Sequence, residues 1–351
     1  MIQLAKLTGP SSSGRTCARK NWHCASIDKT MAIEIIKMNN LNNIAFMGIA
    51  PHWPSRKAVL HWLNQTNPCS MESVIVYNAR TDLKNVRDIP PHASYWRAGA
   101  TLLNKAHGLA LERAPWEQEM INALGSLMFG AKLYFFWHFQ FRILFPDHPQ
   151  PLRMLSWEMM TETMVMAIIL GQTDEGIYLG YLTHATLNRA YQLKLSYEEE
   201  HRRGHAFMLR LFADWRGDVK HDWPSFAFSE PIYEGILEKW REPDPKILKP
   251  WLLAACDRHT HESKNDTETV FYDFSAFPRV PLEILFLFRL RELIGLRNPV
   301  LDNPLMESPF DKLPDVHAPY VPDEFVIGTL ARVREDWPSF DQVVALNALK
   351  E

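Results

Sequence analysis

Residues 116–145 read WEQEMINALGSLMFGAKLYFFWHFQFRILF. Pro115 stands immediately before this stretch, and Glu117 and Glu119 fall in what would be its first turn. Proline is well tolerated where a helix starts, and acidic side chains there interact favourably with the helix dipole. The stretch therefore predicts one long helix. Its most apolar part, residues 133–145, is interrupted by polar side chains and is shorter than the ~20 residues that a membrane span needs.

The helical pattern extends from residue 94 to residue 216 and recurs in shorter pieces toward the end of the chain. Short connections favour antiparallel packing of neighbouring helices. The stretch 282–296 is apolar on nearly every side, which indicates a helix at the centre of its half of the protein. Because proline is poorly tolerated inside a helix, we expect 245–249 to form a separate turn before Pro250. The predicted helices are 55–63, 94–112, 116–145, 151–170, 174–195, 197–215, 230–241, 250–261, 281–295 and 323–336.

Residues 31–95 are the least helical part of the chain. The run VIVY from Val74 to Tyr77 is β-branched and aromatic, which is typical of a short strand. Residues 8–14, TGPSSSG, have the composition of a flexible linker, so we expect residues 1–30 to be a disordered extension.

The sequence therefore predicts a mainly α protein, an antiparallel, bundle-like array of many helices. A small irregular or α/β N-terminal region would cover 31–95. It would be followed by a helical layer over 96–216 and by a second helical layer with proline-rich loops over 217–351. The proline-rich segment 298–322 would be a long ordered loop.

Composition narrows the function classes. Lys and Arg number 38 and Asp and Glu 41, a net charge of −3, which argues against an electrostatically driven nucleic-acid binder unless the charge is sharply segregated. The four cysteines form no C-x-x-C pair, so neither a zinc knuckle nor a redox dithiol is indicated. So few cysteines without a framework suggest a reducing compartment, and we expect a cytoplasmic protein with no nucleic-acid or membrane partner.

Two clusters of metal-ligand residue types stand out, and each has a structural alternative. On a helix, Glu198, His201 and His205 would share one face, as two imidazoles and a carboxylate on a metal would require. The same face continues in apolar residues, so core histidines are the alternative. The second cluster, Asp257, His259 and His261, follows an apolar run, and its alternative is the capping of a helix C-terminus.

Other charged residues point to acid–base chemistry or to ion pairs. Glu158 and Glu162 lie one helical turn apart in a methionine-rich segment, where they could act as an acid–base pair or could face solvent or arginines. Arg289 lies within an apolar run, and a buried unpaired charge costs several kcal/mol. We therefore expect a structural ion pair between Arg289 and either Glu283 or Asp257.

A resemblance covers residues 220–315. Its elements are WPSF at 223–226, PIYEGILEKWREPD at 231–244, ACDRHTH at 255–261, PLEIL at 281–285, RLRE at 289–292 and NPLM at 303–306. This part of the chain resembles the all-helical immunity proteins that bacteria encode beside polymorphic and type VI secreted toxins.

The resemblance implies a cytoplasmic protein of interbacterial competition that neutralises one cognate toxin by stoichiometric binding, with no catalytic residues and no cofactor. Two alternatives stay open. One is a metal-dependent enzyme that uses one of the two clusters, and the other is a helical adaptor or scaffold.

Overall fold

The computed structural model describes residues 46–65, 69–81, 90–147, 152–153, 156–187, 193–194, 201–219 and 221–350. The extension predicted over 1–30 and the candidate ligand Glu198 lie outside the described residues. All described residues belong to one structural unit, Ile44–Glu351.

The described residues contain thirteen α-helices, so the predicted mainly α fold is confirmed. A two-residue parallel pairing joins Leu152–Arg153 to Leu193–Lys194. The helices are α1 (Arg56–Leu63), α2 (Glu72–Asn78), α3 (His92–Leu111), α4 (Glu117–Leu144), α5 (Trp157–Ile169), α6 (Thr173–Leu187), α7 (Arg203–Arg216), α8 (Pro231–Lys239), α9 (Pro245–His261), α10 (Leu282–Leu293), α11 (Glu324–Asp336), α12 (Phe340–Val343) and α13 (Leu346–Leu349).

Helix α5 lies at the centre of the core. Every residue from Met160 to Leu170 is buried, and the helix contacts α4, α6, α7 and α10. Helix α10 is buried from Leu282 to Arg291, which confirms the central position predicted for it. The contact between α5 and α10 joins the helices of segment 96–216 to those of segment 217–351.

Helices α3 and α4 pack closely along one another because glycines stand at their interface. A Cβ on Gly99 of α3 would lie 2.6 Å from Cγ of Leu127, and one on Gly130 of α4 would lie 3.1 Å from the backbone nitrogen of Trp96. Side chains there would push the helices apart, so glycine at these positions sets the spacing of this pair.

Several helices begin at residues that commonly start helices, namely capping side chains and prolines. Ser55, Ser156 and Asp323 cap α1, α5 and α11 with their side-chain oxygens, and Pro231 and Pro245 occupy the first turns of α8 and α9. The amide groups in the first turn of a helix have no partner within the helix. Capping side chains accept hydrogen bonds from these amides, and proline has no amide hydrogen to satisfy. The segment 298–322 forms a long loop without helix or strand, as predicted.

Three predictions about the backbone were wrong. The expected strand Val74–Tyr77 is part of helix α2, where Val74 and Tyr77 are buried at helical spacing and Ile75 and Val76 are exposed. Packing of α2 against α11 therefore outweighs the strand preference of these side chains.

The second error concerns Pro250. It lies inside α9 instead of opening a helix, so 245–249 is not a separate turn. Pro250 cannot donate to the carbonyl of Lys246, but Lys246 is exposed, and water can bind that carbonyl. The third error concerns the helix predicted over 174–195, because Leu193–Lys194 belong to the strand pairing.

The described part of the chain contains no helix of the length and hydropathy that crossing a bilayer requires.

A matched glycine pair tests the packing of α3 on α4. We expect Gly99→Ala to destabilise the protein by about 1–3 kcal/mol, because the new methyl group overlaps Leu127. The control is Gly108→Ala on the same helix, where a Cβ meets nothing within 4 Å and the gain in helix propensity is up to ~1 kcal/mol. Urea unfolding of both variants measures the difference, and equal effects would contradict the close approach.

Candidate functional site

Several charged side chains lie together in the interior around His205 of α7. This ring is fully buried, and its Nε2 lies 3.1 Å from Oε1 of Glu162 on α5. Its Nδ1 faces Asp273, at an ion-pair distance of 3.9 Å from Oδ1. The imidazole thus stands between two buried carboxylates from different parts of the chain.

Arg258 of α9 completes this arrangement from the other side of Asp273. Its Nη2 donates to Oδ2 of Asp273 at 2.7 Å, and its Nε donates to Glu230 at 2.7 Å. Its Nη1 donates to the hydroxyl oxygen of Tyr233 at 3.1 Å. Asp273 therefore bridges the guanidinium of Arg258 and the imidazole of His205. We call these six residues, Glu162, His205, Glu230, Tyr233, Arg258 and Asp273, the buried charge network.

The network changes the acidities of its members. Burial alone would lower the pKa of His205, but the carboxylates of Asp273 and Glu162 raise it to about 9. Burial alone would raise the pKa of Asp273, and the neighbouring Arg258 and His205 hold it well below its usual range instead. At neutral pH His205 is therefore an imidazolium and Asp273 a carboxylate. Charges of opposite sign alternate through the network.

His259 is a second buried histidine with polar partners. Its Nδ1 lies 3.0 Å from Oε1 of Glu283 on α10, and its Nε2 lies 3.1 Å from the carbonyl oxygen of Phe277. The ring stacks on Phe274 with 3.8 Å between centroids. Both ring nitrogens of His259 are engaged within the protein, so the residue joins α9 to α10.

The rest of the second predicted cluster holds the segment that precedes α1. Asp257 accepts a hydrogen bond from the backbone amide of Gly48 at 2.9 Å, and Thr260 accepts one from Ala50 at 2.9 Å. His261 lies 3.1 Å from the carbonyl oxygen of Gly48. These contacts fasten the chain near residue 50 to the last turn of α9.

The structure thus does not assemble Asp257, His259 and His261 around a common point. Consecutive helical positions are rotated by about 100°, so residues two apart in sequence face in different directions. Asp257 and His261 reach the N-terminal segment, whereas His259 faces the core.

The first predicted cluster is not assembled either. Helix α7 begins at Arg203, so His201 precedes the helix, has a backbone φ of 50° and rests against Phe226. His205 points into the buried charge network instead. Among the described residues, no three His, Cys, Asp or Glu side chains form a group that could hold a metal ion.

Glu158 and Glu162 also have separate partners. Glu158 lies 2.8 Å from Nε of Arg202, which is buried and also pairs with Asp266, while Glu162 contacts His205. Of the alternatives that the sequence offers, the reach to a cationic side chain is the one observed.

The expected ion pair of Arg289 with Glu283 or Asp257 was wrong. Arg289 donates through Nε and Nη2 to the carbonyl oxygen of Ile169, at 3.0 and 2.8 Å, and its Nη1 pairs with Glu292. Glu283 is already bound to His259, and Asp257 to Gly48. Arg289 therefore caps the C-terminus of α5, where free carbonyls attract a cation.

The exposed side of α3 borders two adjoining surface cavities. The larger, of about 520 Å³, lies between α3, α4 and the start of α11. The smaller, of about 320 Å³, lies toward the end of α3 near Leu63 and Asn64. Thr101 lines both cavities, and we call them together the α3 groove. Its α3 residues are Tyr95, Ala98, Thr101, Leu102, Asn104, Lys105, Gly108 and Leu109, with Glu112 immediately after the helix.

The α3 groove was missed by sequence reasoning. Its walls include Cys69, Met71 and Tyr320, which are far from α3 in sequence. The available signal was the spacing of small or moderately polar residues at Ala98, Thr101 and Gly108, on the side of α3 opposite the buried Leu103 and Ala106.

Comparisons with known proteins add no relative: no family, no curated protein and no solved structure matches the chain.

The pKa of His205 gives a prediction about stability. Because the folded pKa of about 9 lies above the ordinary 6.5, the stabilisation is complete below about pH 6.5 and is lost as the pH rises through 9. We expect the free energy of unfolding to fall by on the order of 3 kcal/mol over this window.

Urea unfolding between pH 6.5 and 9.5, with an NMR titration of the imidazole, measures this effect. In His205→Gln the decline should disappear, although the variant is less stable at pH 7. A decline of unchanged size in that variant would contradict the assignment.

The contacts of Arg289 give a second prediction. Arg289→Leu leaves the carbonyl of Ile169 buried without its donors, and we expect a loss of about 2–4 kcal/mol in unfolding free energy. Arg289→Lys, which keeps the charge, should lose less. Thermal unfolding of both variants is the measurement, and an unchanged melting temperature for Arg289→Leu would refute the capping role.

Proposed function

We propose that the protein is a cytoplasmic immunity protein that neutralises one secreted antibacterial toxin by forming a stoichiometric complex with it. The proposal is supported by the resemblance carried by residues 220–315. The free thiols of Cys69 and Cys256 are compatible with the reducing compartment in which such a protein would act.

The observation that carries the proposal is the α3 groove. It joins two open cavities along one helix, and its lining mixes apolar side chains with amides, hydroxyls and charges. A stable protein complex needs a larger contact area, roughly 1,200 Å² or more in total, with anchoring side chains seated in recesses near its centre. The groove supplies such recesses, among them one lined by the exposed Val321, and the surface around the groove would supply the remaining area.

The buried charge network supports the same function indirectly. Its charged groups pair with one another inside the protein and tie α5, α7, α8 and α9 together. A binding surface that is already rigid before association loses less conformational entropy when it binds. In this account the ionisable clusters maintain the shape of the protein, and the surface recognises the toxin.

The test is a titration of toxin activity. Candidate secreted toxins from the source genome are each assayed with increasing amounts of the full chain, and the mixtures are analysed by native mass spectrometry. We expect one toxin to lose its activity linearly, with complete inhibition at one chain per toxin, and a 1:1 complex to appear in the mass spectrum.

A second arm of the test uses living cells. A strain that lacks the gene should be killed by its kin and rescued when the gene is restored. Tolerance of every delivered toxin without the gene would overturn the proposal. Inactivation of many toxin molecules by one chain would also overturn it, and would favour an enzyme.

A further inference from the structure

We infer that the α3 groove receives an α-helix of the toxin, whose contact face carries compact apolar side chains flanked by lysine or arginine. The inference rests on the proposed function only for the identity of the partner. The groove and its charges are properties of this chain.

The shape of the groove favours an elongated occupant. From Ala98 to Glu112 the lining residues recur at spacings of three and four, so they lie on one face of α3, and the buried Tyr95 lies one turn before them. At 1.5 Å per residue this face is about 21 Å long. A helix of about 14 residues, or four turns, would match that length.

The chemistry of the groove floor selects a helix over an extended peptide. The floor is the side of a helix whose backbone amides and carbonyls are paired with one another, so it offers no row of partners for strand addition. A helix satisfies its own backbone and needs only side-chain contacts.

Small residues on α3 permit the close approach that such packing needs. A Cβ built on Gly108 would meet no atom within 4 Å, so the groove is open at this point. Ala98 and Thr101 continue the same face with short side chains. The axes of packed helices lie roughly 8–10 Å apart, depending on the side chains between them, and short side chains allow the lower end of that range.

The charges at the groove select a cationic occupant. Asp323 lies at the rim of the larger cavity, and its Oδ1 caps α11 by accepting from the amide of Val326. Among the described residues the carboxylate of Asp323 pairs with no cation. Glu112 lines the smaller cavity, where Lys105 pairs with Glu119. Two lining carboxylates, those of Asp323 and Glu112, therefore accompany one lining ammonium group, which Glu119 already neutralises, and a partner with lysine or arginine would complement them.

The test uses a displayed library of 16-residue helical peptides, randomised on one face and selected against the full chain. We expect the selected peptides to be basic, with compact apolar residues at i, i+3, i+4 and i+7. Gly108→Trp should fill the groove and weaken binding of a selected peptide at least tenfold, and the single methyl group of Gly108→Ala should weaken it less.

Further variants separate shape from charge. Thr101→Trp repeats the blocking test at the junction of the two cavities, and thermal unfolding shows that each variant is folded. Asp323→Asn keeps a good helix cap, since asparagine and aspartate cap about equally well, but removes the charge. Combined with Glu112→Gln, it should weaken binding several-fold at low salt and reduce the dependence of the dissociation constant on salt.

Three outcomes would overturn the inference. The first is the recovery of acidic peptides, and the second is peptide binding that both tryptophan variants leave unchanged. The third is failure to select any helical peptide, which would follow if a segment of the chain itself filled the groove. These outcomes differ from failure of the proposed function. A toxin that is neutralised equally well by the tryptophan variants would leave the immunity function standing and remove the groove from it.

Discussion

The structure depends on one buried carboxylate, that of Asp273, which pairs with Arg258 and faces His205. A charge buried without a partner costs several kcal/mol, so each of these residues is needed once the others are in the core. Asp273 lies in the loop after α9, and the other members of the buried charge network come from α5, α7, α8 and α9. Their pairing fixes the positions of these elements relative to one another. An arginine, a protonated histidine and three acidic side chains thereby cross-link this interior, as a disulfide or a metal ion does in smaller proteins.

This arrangement separates the elements that form the charged interior from the helix α3, which borders the surface groove. The elements that contribute to the buried charge network are joined by ion pairs in the interior, whereas α3 packs on α4 and α1 and lines the α3 groove. Gly99 and Gly108 show this difference within α3. A Cβ on Gly99 would overlap Leu127, whereas a Cβ on Gly108 would meet no atom within 4 Å. The proposed recognition of a toxin uses the α3 groove, which can vary without disturbing the core.

The sequence predicts the helices well because their signals are local. Apolar periodicity, capping serines and aspartates, and prolines at first turns place most boundaries within a few residues. It fails at Val74–Tyr77, where the packing of α2 on α11 outweighs the strand preference of the side chains, and at Pro250, where the missing hydrogen bond falls at the exposed Lys246. For the clusters, the sequence identifies the residue types but not their directions: His205 and His259 are core histidines that bind carboxylates, and Arg289 caps α5 instead of pairing with Glu283. The α3 groove could not be predicted, since its walls come from segments far apart in the chain.

The measurement that most directly tests the division between scaffold and recognition surface is a plot of toxin protection in cells against the free energy of unfolding for two sets of variants. The first set changes the buried charge network, at Arg258, His205 and Glu162, and the second changes the groove, at Gly108 and Thr101. The account predicts that network variants lose protection only as their folded fraction falls, whereas groove variants lose it at unchanged stability. Network variants that remain fully folded but give no protection would contradict the account and would place the function in the buried residues.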